Sequence, residues 1–407
     1  MKKPAALLIA LLCGLARAEP STATPDGQGL STTDTRILAI QPVEEPIITV
    51  DLTHQAADLW DRIRRGFGMP DLTTPEVNER QIQYLSHPAA LRRLFERSYR
   101  YMYHIVDALE QRGLPTEIAL LPMVESGFNP MAYSRSKAAG LWQFVPSTGR
   151  YFNLQQNEWV DERRDVIAST EAALDYLERI YDMHGDWHLA LASYNAGEGT
   201  VQRAIRRNAA AGRSTEYAHL PLRKETRDYV PKLQALKNIL ARPELFAIDL
   251  PHVPNRTYFG LVESPAGIDL AMAADYADTS LDELVALNPA FRRPVIPAGN
   301  QRLALPADKI DGFKARLSDA TPRWKTYRLG KKDRLATLAG KFNLSVTQLL
   351  QINGLTSPAQ ARPGRTLLVP AGADIESILP LSELLPDFPT ADEVRLSPRR
   401  KARRKSR

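Results

Sequence analysis

From about Asp51 to Leu240 apolar residues recur at intervals of three and four, a period that predicts a run of amphipathic α-helices. Asp58-Leu59-Trp60 opens one, and Leu91, Leu94, Phe95, Ser98, Tyr101 and Met102 share a face of another. Thr116 to Val124 predicts a compact apolar helix, started by Pro115-Thr116-Glu117 and stopped by Gly127 and Pro130. Ser169-Thr170-Glu171 is expected to start a longer helix, with Leu174, Leu177, Ile180 and Tyr181 on one face and its end at Gly185. Leu189 to Ala192 begins the next. No stretch of 76–240 alternates with period two, so the block reads as mainly α.

Beyond Pro243 the pattern changes and repeats itself. Leu270, Ala273, Ala274, Ser280, Leu281, Leu284 and Asn288 return 65 residues later as Leu335, Leu338, Ala339, Ser345, Val346, Leu349 and Asn353. Each copy ends in a Gly, an apolar run and a Pro: Gly299 to Pro306, and Gly364 to Pro370. Each unit therefore reads as helix, turn, helix, strand, and two copies of one small α/β module are expected. The second copy shows a leading strand at Thr326–Leu329, whereas the first keeps little of that pattern. The predicted organisation is a leader at 1–18, a Ser/Thr/Pro-rich linker over 19–54, a helical domain at 55–250, modules at 251–318 and 319–371, and a tail at 372–407.

At 407 residues, with 43% hydrophobic and 25% charged positions, the chain is globular in composition rather than disordered. The single cysteine, Cys13, lies in the leader, so the rest of the chain offers no disulfide, thiol nucleophile or cysteine metal site. The leader reads as a secretory signal: Lys2 and Lys3, an apolar stretch from Ala5 to Leu15, and Ala16-Arg17-Ala18 as the cleavage site. Its apolar stretch is about half of the ~20 residues a membrane span needs. Lipid attachment at Cys13 is disfavoured by the bulky Leu12 before it. The net charge of +6 is misleading, because 395–407 holds eight basic residues and no acidic one, and the leader holds three more. Residues 19–394 then carry −5, which argues against a nucleic-acid-binding body. The basic tail is expected to be solvated, with contact to anionic envelope surfaces as its candidate role. None of the seven histidines falls in a metal-ligand pattern, and no metal or cofactor is expected.

Three islands carry the candidate chemistry: Leu121-Pro-Met-Val-Glu125-Ser126-Gly-Phe-Asn-Pro130, Gly140-Leu-Trp-Gln-Phe-Val-Pro-Ser-Thr-Gly149, and Ala192-Ser-Tyr-Asn-Ala-Gly-Glu-Gly199. Glu125 closes an apolar helix, and burial there would favour its neutral form, as a general acid requires. Aromatic faces with Asn and Gln amides suit sugar rings and acetamido groups. Trp142, Phe144 and Phe128 are expected to pack in the core. Glu198 is a candidate second carboxylate, though its flanking glycines suggest a turn.

Together with Tyr101-Met-Tyr103 and Leu220-Pro-Leu-Arg-Lys-Glu-Thr-Arg-Asp-Tyr-Val-Pro-Lys232, these islands resemble the lytic transglycosylase family over roughly residues 55–370. The resemblance implies a mainly α, lysozyme-like (goose-type) catalytic domain followed by two small α/β modules similar to LysM. It further implies cleavage of the β-1,4 bond between N-acetylmuramic acid and N-acetylglucosamine in peptidoglycan, leaving 1,6-anhydro ends. Glu125 matches the family's catalytic acid and base. Ser126 and Ser134 would hydrogen-bond near that carboxyl or the sugar, Gln143 would contact substrate, Tyr194 and Asn195 would line the cleft, and Tyr229 would orient Glu125. The second module would bind N-acetylglucosamine-containing glycan, although the family's Gly-Asp-Thr reads Lys332-Asp333-Arg334 here. The rival expectations are a hydrolytic muramidase and a non-catalytic peptidoglycan scaffold.

Overall fold

The computed structural model describes residues 58–264, 267–293, 295–296, 301–317 and 323–372. The leader with Cys13, the linker and the basic tail lie outside the described residues.

The helical domain is built from α1 (Leu59–Arg65), α2 (Pro75–Leu85), α3 (Pro88–Ser98), α4 (Met102–Gln111), α5 (Leu121–Glu125), α6 (Pro146–Tyr151), α7 (Val166–His184), α8 (Trp187–Ala196), α9 (Glu198–Ala210) and α10 (Lys224–Ala241). The two modules follow as β1 (Phe259–Ser264), α11 (Leu270–Tyr276), α12 (Leu281–Leu287), β2 (Gln301–Pro306) and α13 (Ile310–Leu317), then β3 (Trp324–Arg328), α14 (Leu335–Lys341), α15 (Val346–Ile352) and β4 (Thr366–Pro370). This is the mainly α domain with two α/β modules that the pattern predicts.

Local chemistry decides where helices begin. The Asp165 carboxylate accepts from the backbone N–H groups of Ile167 and Ala168, so α7 starts three residues before the expected Ser169. Ser169 and Thr170 instead turn their hydroxyls back onto the carbonyls of Asp165 and Val166, as hydroxyls inside a helix do. Gly185, with φ of 63°, ends α7, and Asp186 caps α8 through Leu189 N–H. The apolar stretch 116–124 is a second correction. A 3₁₀ turn at Thr116–Leu120 precedes a short α5, because Pro122 has no N–H to donate back to Ile118 and sits in the first turn of α5, where that donor is not needed. Pro231 lies inside α10, and the carbonyl it leaves unbonded, that of Arg227, accepts the Tyr217 hydroxyl at 2.8 Å.

One core runs through the helical domain. Trp60 stands edge-on to Phe95 at 5.3 Å, and Tyr101, Phe128, Trp142 and Phe144 are buried, the last three as expected. A charged knot lies within it: Glu117 is wholly buried, accepting from Gly68 and Met69 N–H and pairing with Lys237 at 3.0 Å.

In the modules β1 pairs antiparallel with β2, Phe259 opposite Pro306, and β3 with β4, Trp324 opposite Pro370. The first module thus has its opening strand after all; Gly260 and Ser264, which share a face with the buried Val262, give that face no apolar alternation to read. The 65-residue repeat has a structural meaning in its asparagines. Asn288 donates to Leu284 and Ala304 carbonyls and accepts from Ala304 N–H, tying the second helix to the closing strand. Asn353 does the same with Leu349 and Leu368. The first module is also docked on the helical domain: Arg100 pairs with Glu283 at 2.7 Å, and the buried Tyr101 donates to the Ala286 carbonyl at 2.9 Å.

Candidate active site

Glu125 is the last residue of α5, and two successive left-handed residues, Gly127 (φ 62°) and Phe128 (φ 55°), turn the chain sharply away behind it. The N–H groups of Ser126 and Phe128 both donate to the Pro122 carbonyl, which pins that turn. The carboxyl is thereby held at the end of a buried helix and faces a cavity of about 530 Å³.

Opposite it, α10 packs against α2, α5 and α8 and brings the Tyr229 hydroxyl to 2.5 Å from Glu125 Oε1, donating. Burial pushes the Glu125 carboxyl up to about 7; the Tyr229 hydrogen bond and the Lys232 cation pull the other way, and the negative charge of Glu225 adds to the rise. Burial, reinforced by Glu125, also holds the Tyr194 and Tyr229 phenols well above their usual 10, so both remain donors at any working pH.

Of the residues singled out in the sequence, Glu125, Ser134, Gln143, Tyr194, Asn195 and Tyr229 converge on this cavity. The Ser134 hydroxyl meets that of Ser136 at 2.8 Å and accepts from Ala138 N–H. Gln143 sits at φ 50°, a costly backbone for a residue with a side chain, and its Nε2 donates to the Gly140 carbonyl at 2.8 Å. Tyr194 donates to the Trp142 carbonyl at 2.9 Å, and Asn195 Oδ1 accepts from Thr226 at 2.9 Å. Ser126 is set apart: its hydroxyl donates to the Pro122 carbonyl at 3.2 Å, and it is not among the lining residues.

The loop that carries Gln143 is clamped from behind. The buried Arg163 donates to the Lys137 and Phe144 carbonyls and pairs with the buried Asp161 at 2.7 Å. Gly140, with φ of 84°, passes so close that a Cβ would lie 1.9 Å from the Arg163 carbonyl oxygen. Only glycine fits there.

Glu198 does not line the cavity; it accepts from Tyr176 at 2.8 Å, and Tyr176 in turn forms part of the wall beside Tyr194, ring centres 5.5 Å apart. The carboxylate that does stand at the wall with Glu125 is Glu225, together with Lys232. Neither was picked out in the sequence. Their spacing with Tyr229, four and then three residues along α10, places all three on one helical face, a signal that any solvated helix also gives.

Residues 102–216 match the model of the transglycosylase SLT domain. Residues 258–321 match the LysM-like domain of lytic transglycosylase MltD, and 327–370 match the LysM domain. Membrane-bound lytic murein transglycosylase D of Escherichia coli (strain K12) is 34% identical over 337 residues, 79% of this chain and 74% of that protein. The chain belongs to the lytic murein transglycosylase family. A more distant member, membrane-bound lytic murein transglycosylase C of Pectobacterium atrosepticum, is 30% identical over 28% of this chain and 35% of its own length. Both relatives are named for a membrane, whereas no helix among the described residues is long and apolar enough to cross one.

Proposed function

We propose that this transglycosylase cuts the β-1,4 bond between N-acetylmuramic acid and N-acetylglucosamine in peptidoglycan, with Glu125 as both acid and base. The observation that carries the reading is a carboxyl poised near 7, at the end of a buried helix and held by a phenol. A group with that pKa can give a proton and take one back at neutral pH.

In the first half-reaction Glu125 protonates the oxygen leaving C1 of the muramic residue, and the C1–O bond breaks. The sugar's own acetamido oxygen stabilises the cationic carbon, so no protein nucleophile is needed. In the second, the Glu125 carboxylate takes the proton from the C6 hydroxyl, O6 bonds to C1, and the acid is restored. No water is consumed. Tyr229 holds the carboxyl in place throughout, Tyr194 and Asn195 form the cleft wall, and Gln143 and Ser134 present polar groups to the sugar. Ser126 acts indirectly, by closing the end of α5.

One observation favours a second reading. Glu225 gives the cavity a second carboxylate, the pairing an ordinary hydrolytic glycosidase uses. Product mass separates the two, since hydrolysis adds a water and ring closure does not. Digestion of purified sacculi should release anhydro-muropeptides, and Glu125→Gln should bind sacculi yet release none. Reducing-end products, or an undiminished Glu125→Gln rate, would overturn the mechanism.

The second module is proposed to hold N-acetylglucosamine-containing strands. Its Asp333 accepts from Gly330 N–H and Tyr327, closing the turn in which Lys332 and Arg334 replace the family's Gly and Thr. The first module, bound to the helical domain through Glu283 and Ala286, serves as a spacer. Export by the leader puts the enzyme in the periplasm or cell envelope, and the basic tail adds salt-sensitive attraction to anionic surfaces there. Deleting 395–407 should weaken sacculus binding at low salt.

A further inference from the structure

A second groove leaves the cavity on the side of α3. It holds about 430 Å³ and shares Val124 and Lys232 with the cavity, while Leu91, Leu94 and Met123 give it an apolar lining. Arg93 and Arg97, four residues apart on the exposed side of α3, stand along it with Lys232, and no carboxylate lines it. The neighbouring Arg92 is paired with Glu96 at 2.8 Å. Arg93, Arg97 and Lys232 have no ion pair among the described residues; Arg97 makes one long bond, 3.5 Å, to the Gly127 carbonyl. Lys232, at the junction, also faces Glu125 and Glu225 across the cavity, whereas Arg93 and Arg97 line the groove with no carboxylate beside them, a field that concentrates anions.

We propose that this groove receives the acidic stem peptide that muramic acid carries, with Arg93 and Arg97 pairing with its free carboxylates. The assignment rests on the peptidoglycan cleavage proposed above. Neutral sugars give these cations nothing to neutralise, whereas a stem peptide has both carboxylates and alkyl side chains for the Leu91 and Leu94 lining. The position agrees. Val124 adjoins Glu125, so a muramic ring with C1 at that carboxyl lies at the groove's mouth, and the peptide hangs from the lactyl group on the same ring.

The test compares the wild-type enzyme with the double variant Arg93→Ala/Arg97→Ala, both exposed positions where truncation leaves the core alone. The substrates are purified peptide-bearing glycan strands and the same strands stripped of peptide by an amidase. Wild-type kcat/KM should be about tenfold higher on the peptide-bearing strands, roughly what two screened ion pairs supply. The double variant should lose that advantage and match the wild type on stripped strands, and added salt should erode the wild-type preference. Equal loss on both substrates, or loss on neither, overturns the proposal. So does binding to anionic phospholipid vesicles that the double variant abolishes while strand kinetics stay unchanged, which would make the groove a membrane contact. A wild-type enzyme inert on both substrates would sink the cleavage reading itself, a result distinct from any of these.

Discussion

The Tyr229→Phe variant isolates the one hydrogen bond that touches the Glu125 carboxyl among the described residues. The two largest effects on that carboxyl, which stands near 7, are opposed: burial raises it, and the Tyr229 hydroxyl, 2.5 Å away, lowers it by favouring the charged form. Phenylalanine keeps the ring, and with it the packing of a buried residue, and removes only the lowering effect. A hydrogen bond to a charged group contributes about 1.5–3 kcal/mol, and one pKa unit is about 1.4 kcal/mol. The carboxyl should therefore rise by about one unit and by no more than about two. Because the free enzyme must carry the proton it donates, activity falls as pH climbs through this pKa. The alkaline limb of kcat/KM should then move from about 7 to about 8 or beyond. The plateau should drop about tenfold or more, since the carboxyl is no longer held in one orientation. Release of soluble muropeptides from sacculi between about pH 5 and pH 9 measures both. An alkaline limb that stays put, or moves to lower pH, would refute the account of Tyr229, whatever happens to the rate.

The same carboxyl predicts a stability change. Between the ordinary value of 4.5 and about 7 the folded state keeps a proton that the unfolded chain has lost, so wild-type stability should fall across that window as pH rises. Glu125→Gln escapes this, and its melting temperature should gain on the wild type between about pH 5 and pH 8, by the equivalent of up to about 3 kcal/mol; a constant difference would contradict a raised carboxyl. Glu225→Gln should leave the anhydro product and most of the rate intact, whereas a hydrolase would lose its activity, and mass spectrometry of the products decides between them. Asn353→Ala removes three buried hydrogen bonds, two to Leu368 that tie the end of α15 to β4 and one back to Leu349 in α15, which should cost the second module about 2–4 kcal/mol. Hydrogen exchange should show that loss confined to residues of the second module, with cleavage of short soluble glycans unchanged.

Much of the architecture was legible because it depends on neighbours in the chain. Apolar period, glycine stops and the 65-residue repeat are short-range signals, and they announced a helical domain with two α/β modules. Local competition was harder to see. Asp165 outbids Ser169 as a cap because a carboxylate reaches two N–H groups, and Pro122 divides an apolar run that composition alone reads as one helix. The islands named Glu125, Gln143, Tyr194 and Asn195, since a carboxylate, amides and aromatics grouped beside glycines are unusual within a few residues.

What only the tertiary structure decided is which polar side chains meet and what surrounds them. Tyr229 meets Glu125 across 104 positions of chain, and no local pattern encodes that distance. Glu225, which stays exposed, and the half-buried Lys232 look like an ordinary helix face until α10 lies against α5 and brings them to the rim of the cavity. Glu198 and Ser126, both prominent in the sequence, are drawn instead to Tyr176 and to the end of α5. The buried Glu117–Lys237 pair is equally unannounced. The physical reason is common to all of them: periodicity reports which face of an element is apolar, whereas a charge's environment is set by whatever distant element packs over it.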